Sequence, residues 1–363
     1  MRNDQPVPPA RARLIAYYLP QFHPIPENDA WWSKGFTEWT NAAKARPLFK
    51  GHYQPHVPAD LGFYDLRLPE TRAAQAAMAR EYGIEAFCYF HYWFSGRRLL
   101  ERPFNEVLAT GEPDFPFCLC WANQSWTSIW HGAADRVLIK QEYPGMEDHR
   151  RHFHSLLPAF SDKRYLKVDG KPLFMLYCPR ELPDSRRVLD FWRNLAVKEG
   201  LPGLFLLAEY HKSDWDPKPH GFDAVVINNL WPWRYEAAGW NRPALKIREK
   251  FHRWNGMPKV LDYETVMDSL VTDPVPGIES FPCVFPNFDN TPRTGKNGIV
   301  LHGSTPELFR RHLRRALDRV KNAPPEHQVV FVKSWNEWAE GNHLEPDLRF
   351  GRSYLDVIRD ELS

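Results

Sequence analysis

The chain of 363 residues can bury a large core, as one large α/β domain or two ordinary ones. Its 47 basic and 45 acidic residues leave a formal net charge of +2, which gives no electrostatic footprint for nucleic acid or an anionic membrane surface. Fifteen Trp, 14 Tyr and 23 Phe supply rings that serve either as core volume or as flat platforms for sugar faces.

The first 12 residues, rich in Pro and Arg, read as a flexible segment ahead of a single catalytic domain over 13–363. They contain no apolar signal-peptide core, and no run of about 18 apolar residues occurs anywhere. The expectation is a protein without membrane insertion, cytoplasmic, or periplasmic if a signal peptide has been removed. Leu14–Leu19 is the first predicted strand, ended by Pro20. The long Trp-, Pro- and Gly-rich interval that follows is too long for a mere connection and reads as a functional loop. Pro69–Tyr82 then has a helical pattern, with Pro in its first turn, Ala73, Ala74, Ala77 and Met78 on one face, and Gly83 as its stop.

The alternation repeats from there. Strands are predicted at Ile84–Tyr89, Phe115–Trp121, Pro172–Tyr177, Gly203–Ala208, Phe222–Ile227, Phe281–Phe285 and Gln328–Lys333. Helices are predicted at Leu99–Leu108, Glu147–Phe160, after Asp184 or Ser185 as far as Gly200, at Thr305–Val320, and from Ser353 onward. His149, His152 and His154 are expected on a solvated helix face. Between Asn228 and Ser280 the pattern is least legible, with a basic helix at Ala244–Trp254, an extra strand at Lys259–Leu261 and a helical piece after Tyr263. Cys88, Cys118, Cys120, Cys178 and Cys283 mostly sit inside apolar runs and read as reduced core thiols; the C-x-C of Cys118 and Cys120 lacks a second pair to make a metal site. Eight strands separated mostly by helices predict a (β/α)8 TIM barrel with long βα loops. No dinucleotide or P-loop fingerprint is present, and no cofactor or metal is expected.

Catalytic groups of such barrels come from the C-terminal ends of strands, and the predicted exits here are aromatic and polar. Tyr17, Tyr18 and Gln21 leave the first strand, and the long loop adds Trp32, Glu38 and Trp39. His91, Tyr92 and Trp93 leave the second strand, and Asn123, Gln124, Trp126 and Trp130 the third. Glu209 and Tyr210 leave the fifth, Asn228 and Trp231 the sixth, and Asn287 and Asp289 the seventh. Trp beside amides and carboxylates suits carbohydrate, because sugar CH faces stack on rings while hydroxyls need donors and acceptors. An oligosaccharide or polysaccharide is the expected partner.

The eighth exit reads SWNEWAEGNHLEP, from Ser334 to Pro346. If the chain turns helically there, Glu337 and Glu340 share one side, close enough to flank a glycosidic bond. Trp335 and Trp338 would raise one carboxyl, while Asn336, His343 and Glu345 complete the polar cluster. The same spacing also suits two helix-start glutamates or a wet loop.

The strings YYLPQFHPIPENDAWW with GFTEW, FHYWFSGRRLLERP, LCWANQSWT and SWNEWAEGNHLEPD resemble the WbsX-type family of polysaccharide and O-antigen clusters, often labelled glycosyltransferase. That family is similar, chiefly in its N-E-W-x-E-G segment, to the endo-α-mannosidase family of retaining glycoside hydrolases. The segment falls on Asn336, Glu337, Trp338, Glu340 and Gly341. The resemblance implies a (β/α)8 fold, Glu340 as general acid/base, and Glu337 as base on a substrate 2-hydroxyl, giving a 1,2-anhydro sugar of mannose or rhamnose configuration. It also implies a hydroxyl-binding role for Glu38. One departure stands out: Gln124 occupies a position usually held by Glu, and Ser128, Ile129 and His131 stand where Arg-Arg and Asp are frequent. Besides a glycoside hydrolase, a nucleotide-sugar glycosyltransferase with Asp214-Trp215-Asp216 as a metal-binding D-x-D, and a catalytically silent sugar-binding protein, remain open.

Overall fold

The computed structural model describes residues 12–128, 136–211, 214–230 and 257–363. All eight apolar runs form strands: β1 (Arg13–Tyr18), β2 (Ile84–Phe94), β3 (Phe117–Trp121), β4 (Lys171–Leu176), β5 (Phe205–Tyr210), β6 (Ala224–Ile227), β7 (Ser280–Val284) and β8 (Val329–Val332). Each pairs in parallel with its neighbours in chain order, and β1 pairs with both β2 and β8, so the sheet closes. The result is a (β/α)8 barrel without a free edge. Every residue of β3, β6 and β8 is buried, which is why those segments are continuous apolar runs and not alternating ones.

The outer helices follow from amphipathic spacing. Pro306–Val320 buries Phe309, Leu313, Ala316 and Leu317, and the Thr305 hydroxyl accepts the Leu308 N–H at its start. The arginines on its other face pair outward, Arg310 and Arg314 with Glu361 of the Ser353–Leu362 helix and Arg311 with Glu264. Ser185–Lys198 buries Trp192 against the Met146–Phe160 helix, where the indole N–H donates to the His149 carbonyl. Lys259–Asp262 forms the extra strand, parallel to Ile299–His302 and outside the barrel, and Tyr263–Leu270 is helical. Among the described residues no helix is long and apolar enough to cross a membrane.

Several local expectations are corrected. The helix expected at Leu99–Leu108 begins at Arg102, because Arg97–Leu99 turns back to pair with the long end of β2. Asp184 precedes its helix in a left-handed conformation and makes no side-chain cap. His149 and His152 are buried and only His154 is exposed: His152 lies between Trp93 and Trp121, its Nε2 2.8 Å from that of His91. The Ala244–Trp254 helix, Trp130, Ile129, His131 and residues 1–11 of the flexible segment fall outside the described residues. Cys88, Cys118, Cys120 and Cys283 are buried, and all five cysteines are unpaired.

Phe331 of β8 is fully buried with its ring 5.6 Å from that of Tyr17. Phe331→Ala is expected to destabilise the chain by about 3–5 kcal/mol, read from its urea denaturation midpoint. A loss below about 1 kcal/mol would contradict a tightly packed barrel interior.

Candidate active site

Beyond β8 the chain does not continue as a helix. Asn336–Glu337 pairs antiparallel with Asn342–His343, and the turn between them is a single 3₁₀ segment, Trp338–Glu340. Gly341 closes that turn at φ 55°, and a Cβ there would lie 3.1 Å from the Cβ of Asp289, so both the backbone conformation and the tight approach favour glycine. The hairpin is pinned from behind. The Asn336 amide accepts the Leu19 N–H at 2.7 Å and donates to the Leu19 carbonyl at 3.1 Å, tying the motif to the end of β1. The Glu345 carboxylate accepts from Gln75 Nε2 and Trp338 Nε1, each at 2.6 Å, and from the Tyr64 hydroxyl at 2.8 Å. Burial pushes Glu345 up to about 7.

This arrangement delivers Glu337 and Glu340 to the barrel mouth, where they meet a residue that the sequence reading did not single out. Arg293, on the Thr291–Thr294 turn after β7, donates from Nη2 to Glu337 at 3.1 Å, from Nη1 to Glu340, and from Nε and Nη2 to Glu38. One guanidinium therefore serves three buried carboxylates. Burial and the Glu340 charge push Glu337 up to about 8, against the pull of Arg293. Burial also raises Glu38, and Arg293 again opposes the shift. A second buried cation, Lys333, lies over the Tyr177 ring, 3.6 Å from Glu209. Glu209 is held by the Tyr17 hydroxyl and the Asn228 amide, each at 2.6 Å.

A cleft opens over these groups, lined by Gln21, Trp32, Glu38, Tyr92, Trp126, Glu337 and Glu340 among the expected residues. Asn28, Phe90, Gln124, Tyr177, Arg293 and Lys333 line it too. Gln124 and Tyr177 also border an adjoining hollow with Glu209, Tyr210 and Asn228.

The remaining expected ligands lie behind this surface, where protein groups occupy most of their polar atoms. Tyr17 and Tyr18 donate to Glu209 and Gln75, Trp39 to the Tyr64 carbonyl and Trp93 to Asp148. His91 faces His152, and Asn123 bridges the backbone of Cys178. Trp335 packs on Phe87, and the Trp338 ring stacks on His343 at 3.8 Å. For these residues, and for Asn336 and Glu345, the geometry is that of a supporting wall. Trp231 lies outside the described residues.

Arg293 and Lys333 carried little signal, since TPRTGKN reads as a polar loop and Lys333 as the end of a strand. The available cue was a charged residue soon after a barrel strand. Among the described residues His56, His343 and Asp347 bring three potential ligand atoms within 4.8 Å of one another. The His343 Nδ1–H donates to the Glu345 carbonyl, leaving Nε2 to accept from His56 Nδ1 at 2.9 Å. That hydrogen bond accounts for the facing nitrogens without a cation.

A family model described as glycosyltransferase WbsX matches residues 14–358. Relatives described as uncharacterized protein WxcX, from two strains of Xanthomonas campestris pv. campestris, are 41% identical over 354 residues, covering 97% of this chain and 50% of theirs. The chain thus spans about half the length of the curated relatives it matches. Among solved structures, one described as a glycoside hydrolase-like protein superposes with a TM-score of 0.58 at 16% identity, over 99% of this chain and 97% of the other. A GH99 endo-alpha-mannosidase from Bacteroides thetaiotaomicron gives 0.57 at 12% identity, over 96% and 95%. These likenesses show a shared fold.

The raised Glu337 makes stability depend on pH. Its folded-state value, about 8, stands above the unfolded one near 4.5, so the protonated form is favoured by folding. That contribution is full below pH 4.5 and is lost as pH rises through 8. Denaturation of the wild type is expected to become easier from pH 5 to 8.5, and Glu337→Gln to flatten the trend with a gain of a few kcal/mol at pH 8.5. Parallel curves for the two proteins would contradict the shift.

Proposed function

Because the chain belongs to the WbsX glycosyltransferase family and sets paired carboxyls in an aromatic cleft at a barrel mouth, we propose that it is a retaining α-glycoside hydrolase. Its substrate is a bacterial polysaccharide or a fragment of one, cleaved at a mannose- or rhamnose-configured sugar, and residues 13–363 form the catalytic domain. The observation that carries this reading is that Glu337 and Glu340 lie within reach of one guanidinium, facing a cleft walled by Trp32, Tyr92 and Trp126. Two carboxyls so close flank a single glycosidic bond.

Glu337 as carboxylate removes the proton of the substrate 2-hydroxyl, whose oxygen closes onto C1. Glu340 as carboxylic acid protonates the departing glycosidic oxygen. Water, giving its proton to Glu340, then opens the 1,2-anhydro sugar at C1 while Glu337 returns its proton to O2. Two inversions at C1 amount to retention. A carboxyl near 8 is a stronger base than an ordinary carboxylate, and it acts only when ionised.

The family description favours the second reading, a nucleotide-sugar transferase. Its D-x-D support is weakened by position: Asp214 and Asp216 are exposed, and Asp216 accepts the Lys218 N–H of a 3₁₀ turn. Neither lines the cleft.

Purified protein is to be screened on mannose- and rhamnose-containing bacterial polysaccharides. Glu340→Gln is expected to cut reducing-end release by about 10²–10⁴-fold while glycan binding persists; unchanged turnover would remove Glu340 from the reaction. For the wild type, kcat/KM is expected to rise with pH toward about 8 as Glu337 ionises. A falling limb at that pH, absent in Glu337→Gln, would make Glu337 the proton donor instead.

A further inference from the structure

The reading of Glu337 as base leaves unexplained a buried carboxylate just outside the cleft. Asp289, at the exit of β7, is 2% exposed and uses both oxygens fully. Oδ2 accepts from His52 Nε2 at 2.6 Å and Gln54 Nε2 at 2.7 Å, while Oδ1 accepts the Thr291 N–H at 2.9 Å and its hydroxyl at 2.6 Å. The Leu48 N–H donates to His52 Nδ1 at 3.0 Å, so the proton of that imidazole sits on Nε2 and points at Asp289. Thr291 opens the short turn that carries Arg293. The guanidinium hydrogen bonds only to Glu38, Glu337 and Glu340 among the described residues, so besides those three carboxylates it is the backbone of its turn that sets where it lies. Asp289 also packs against Gly341, the residue after Glu340.

We propose that Asp289 is a positioning residue of the site: clamped by His52 and Gln54 and gripping Thr291, it holds Arg293 where one guanidinium contacts all three glutamates. The charged groups that face Glu337 are Glu340, Arg293, Glu38 and Lys333. Arg293 is the nearest cation, in direct contact with Glu337, so displacing it removes the main support for the Glu337 carboxylate. In Asp289→Asn the amide N–H₂ replaces an acceptor, opposing either the His52 and Gln54 donors or the Thr291 donors.

The test needs no substrate. In the 363-residue chain labelled with ¹³C at glutamate side-chain carboxyls, the Glu337 resonance, assigned by its loss in Glu337→Gln, is titrated by NMR. In Asp289→Asn its midpoint is expected to move up by at least about half a pH unit. His52→Leu, which deletes one clamping donor, is expected to shift it in the same direction by less, and His52→Gln, which retains an N–H donor, to restore it. If Asp289→Asn does not fold, the His52 pair carries the test. A lowered melting temperature with an unmoved Glu337 midpoint would overturn the proposal and leave Asp289 a structural residue. In turnover, kcat is expected to fall about tenfold with KM within threefold, and the rising limb of kcat/KM to follow the NMR midpoint. Absence of glycosidase turnover in the wild type would sink the functional reading but leave the NMR result to decide the role of Asp289.

Discussion

The site depends on a shortage of positive charge. Glu38, Glu337 and Glu340 are buried together around one guanidinium, and each carboxylate taken out of water must be repaid by a nearby cation or by a proton. Arg293 cannot neutralise three, and Lys333 is held near Glu209. Protons make up the difference, which is why Glu337 is pushed toward 8 while lying against an arginine. A pair of carboxyls in which one holds a proton and the other does not is what acid/base work on a glycosidic bond requires. The proposed reaction runs from the state in which Glu337 has given up that proton and Glu340 holds one.

The barrel makes that arrangement rigid. Glu337 and Glu340 ride on a hairpin tied to β1 through Asn336 and underpinned by Glu345, while Arg293 arrives from the β7 exit and Glu38 from the loop after β1. Groups from three separate exits converge because the closed sheet fixes where its strands end. The supporting polar groups are mostly satisfied, so the aromatic and amide residues around the mouth split into a cleft surface and a wall behind it.

That split explains what was legible in the sequence. The eight strands could be read because parallel barrel strands are buried on both faces and appear as dense apolar runs such as VVFV. Glu337 and Glu340 stood out because two carboxylates follow such a run. Trp335, Trp338, Asn336 and Glu345 were harder: an aromatic or polar residue at a strand exit has the same sequence signature whether it faces a ligand or its own scaffold. His149 and His152 misled for a related reason, since their place in a polar stretch concealed burial against Trp192 and Trp93. Arg293 was silent because its role depends on three carboxylates distant in the chain, a property of tertiary structure that no local pattern carries.

The account is tested most directly by following the anomeric protons by NMR while the purified protein acts on a mannose- or rhamnose-containing bacterial polysaccharide without added nucleotide sugar. It predicts new reducing ends that first appear in the anomeric configuration of the bond cleaved and only later mutarotate. First appearance of the opposite anomer would contradict the two-step route, and glycan chemistry that proceeds only with a nucleotide-sugar donor would contradict the hydrolase.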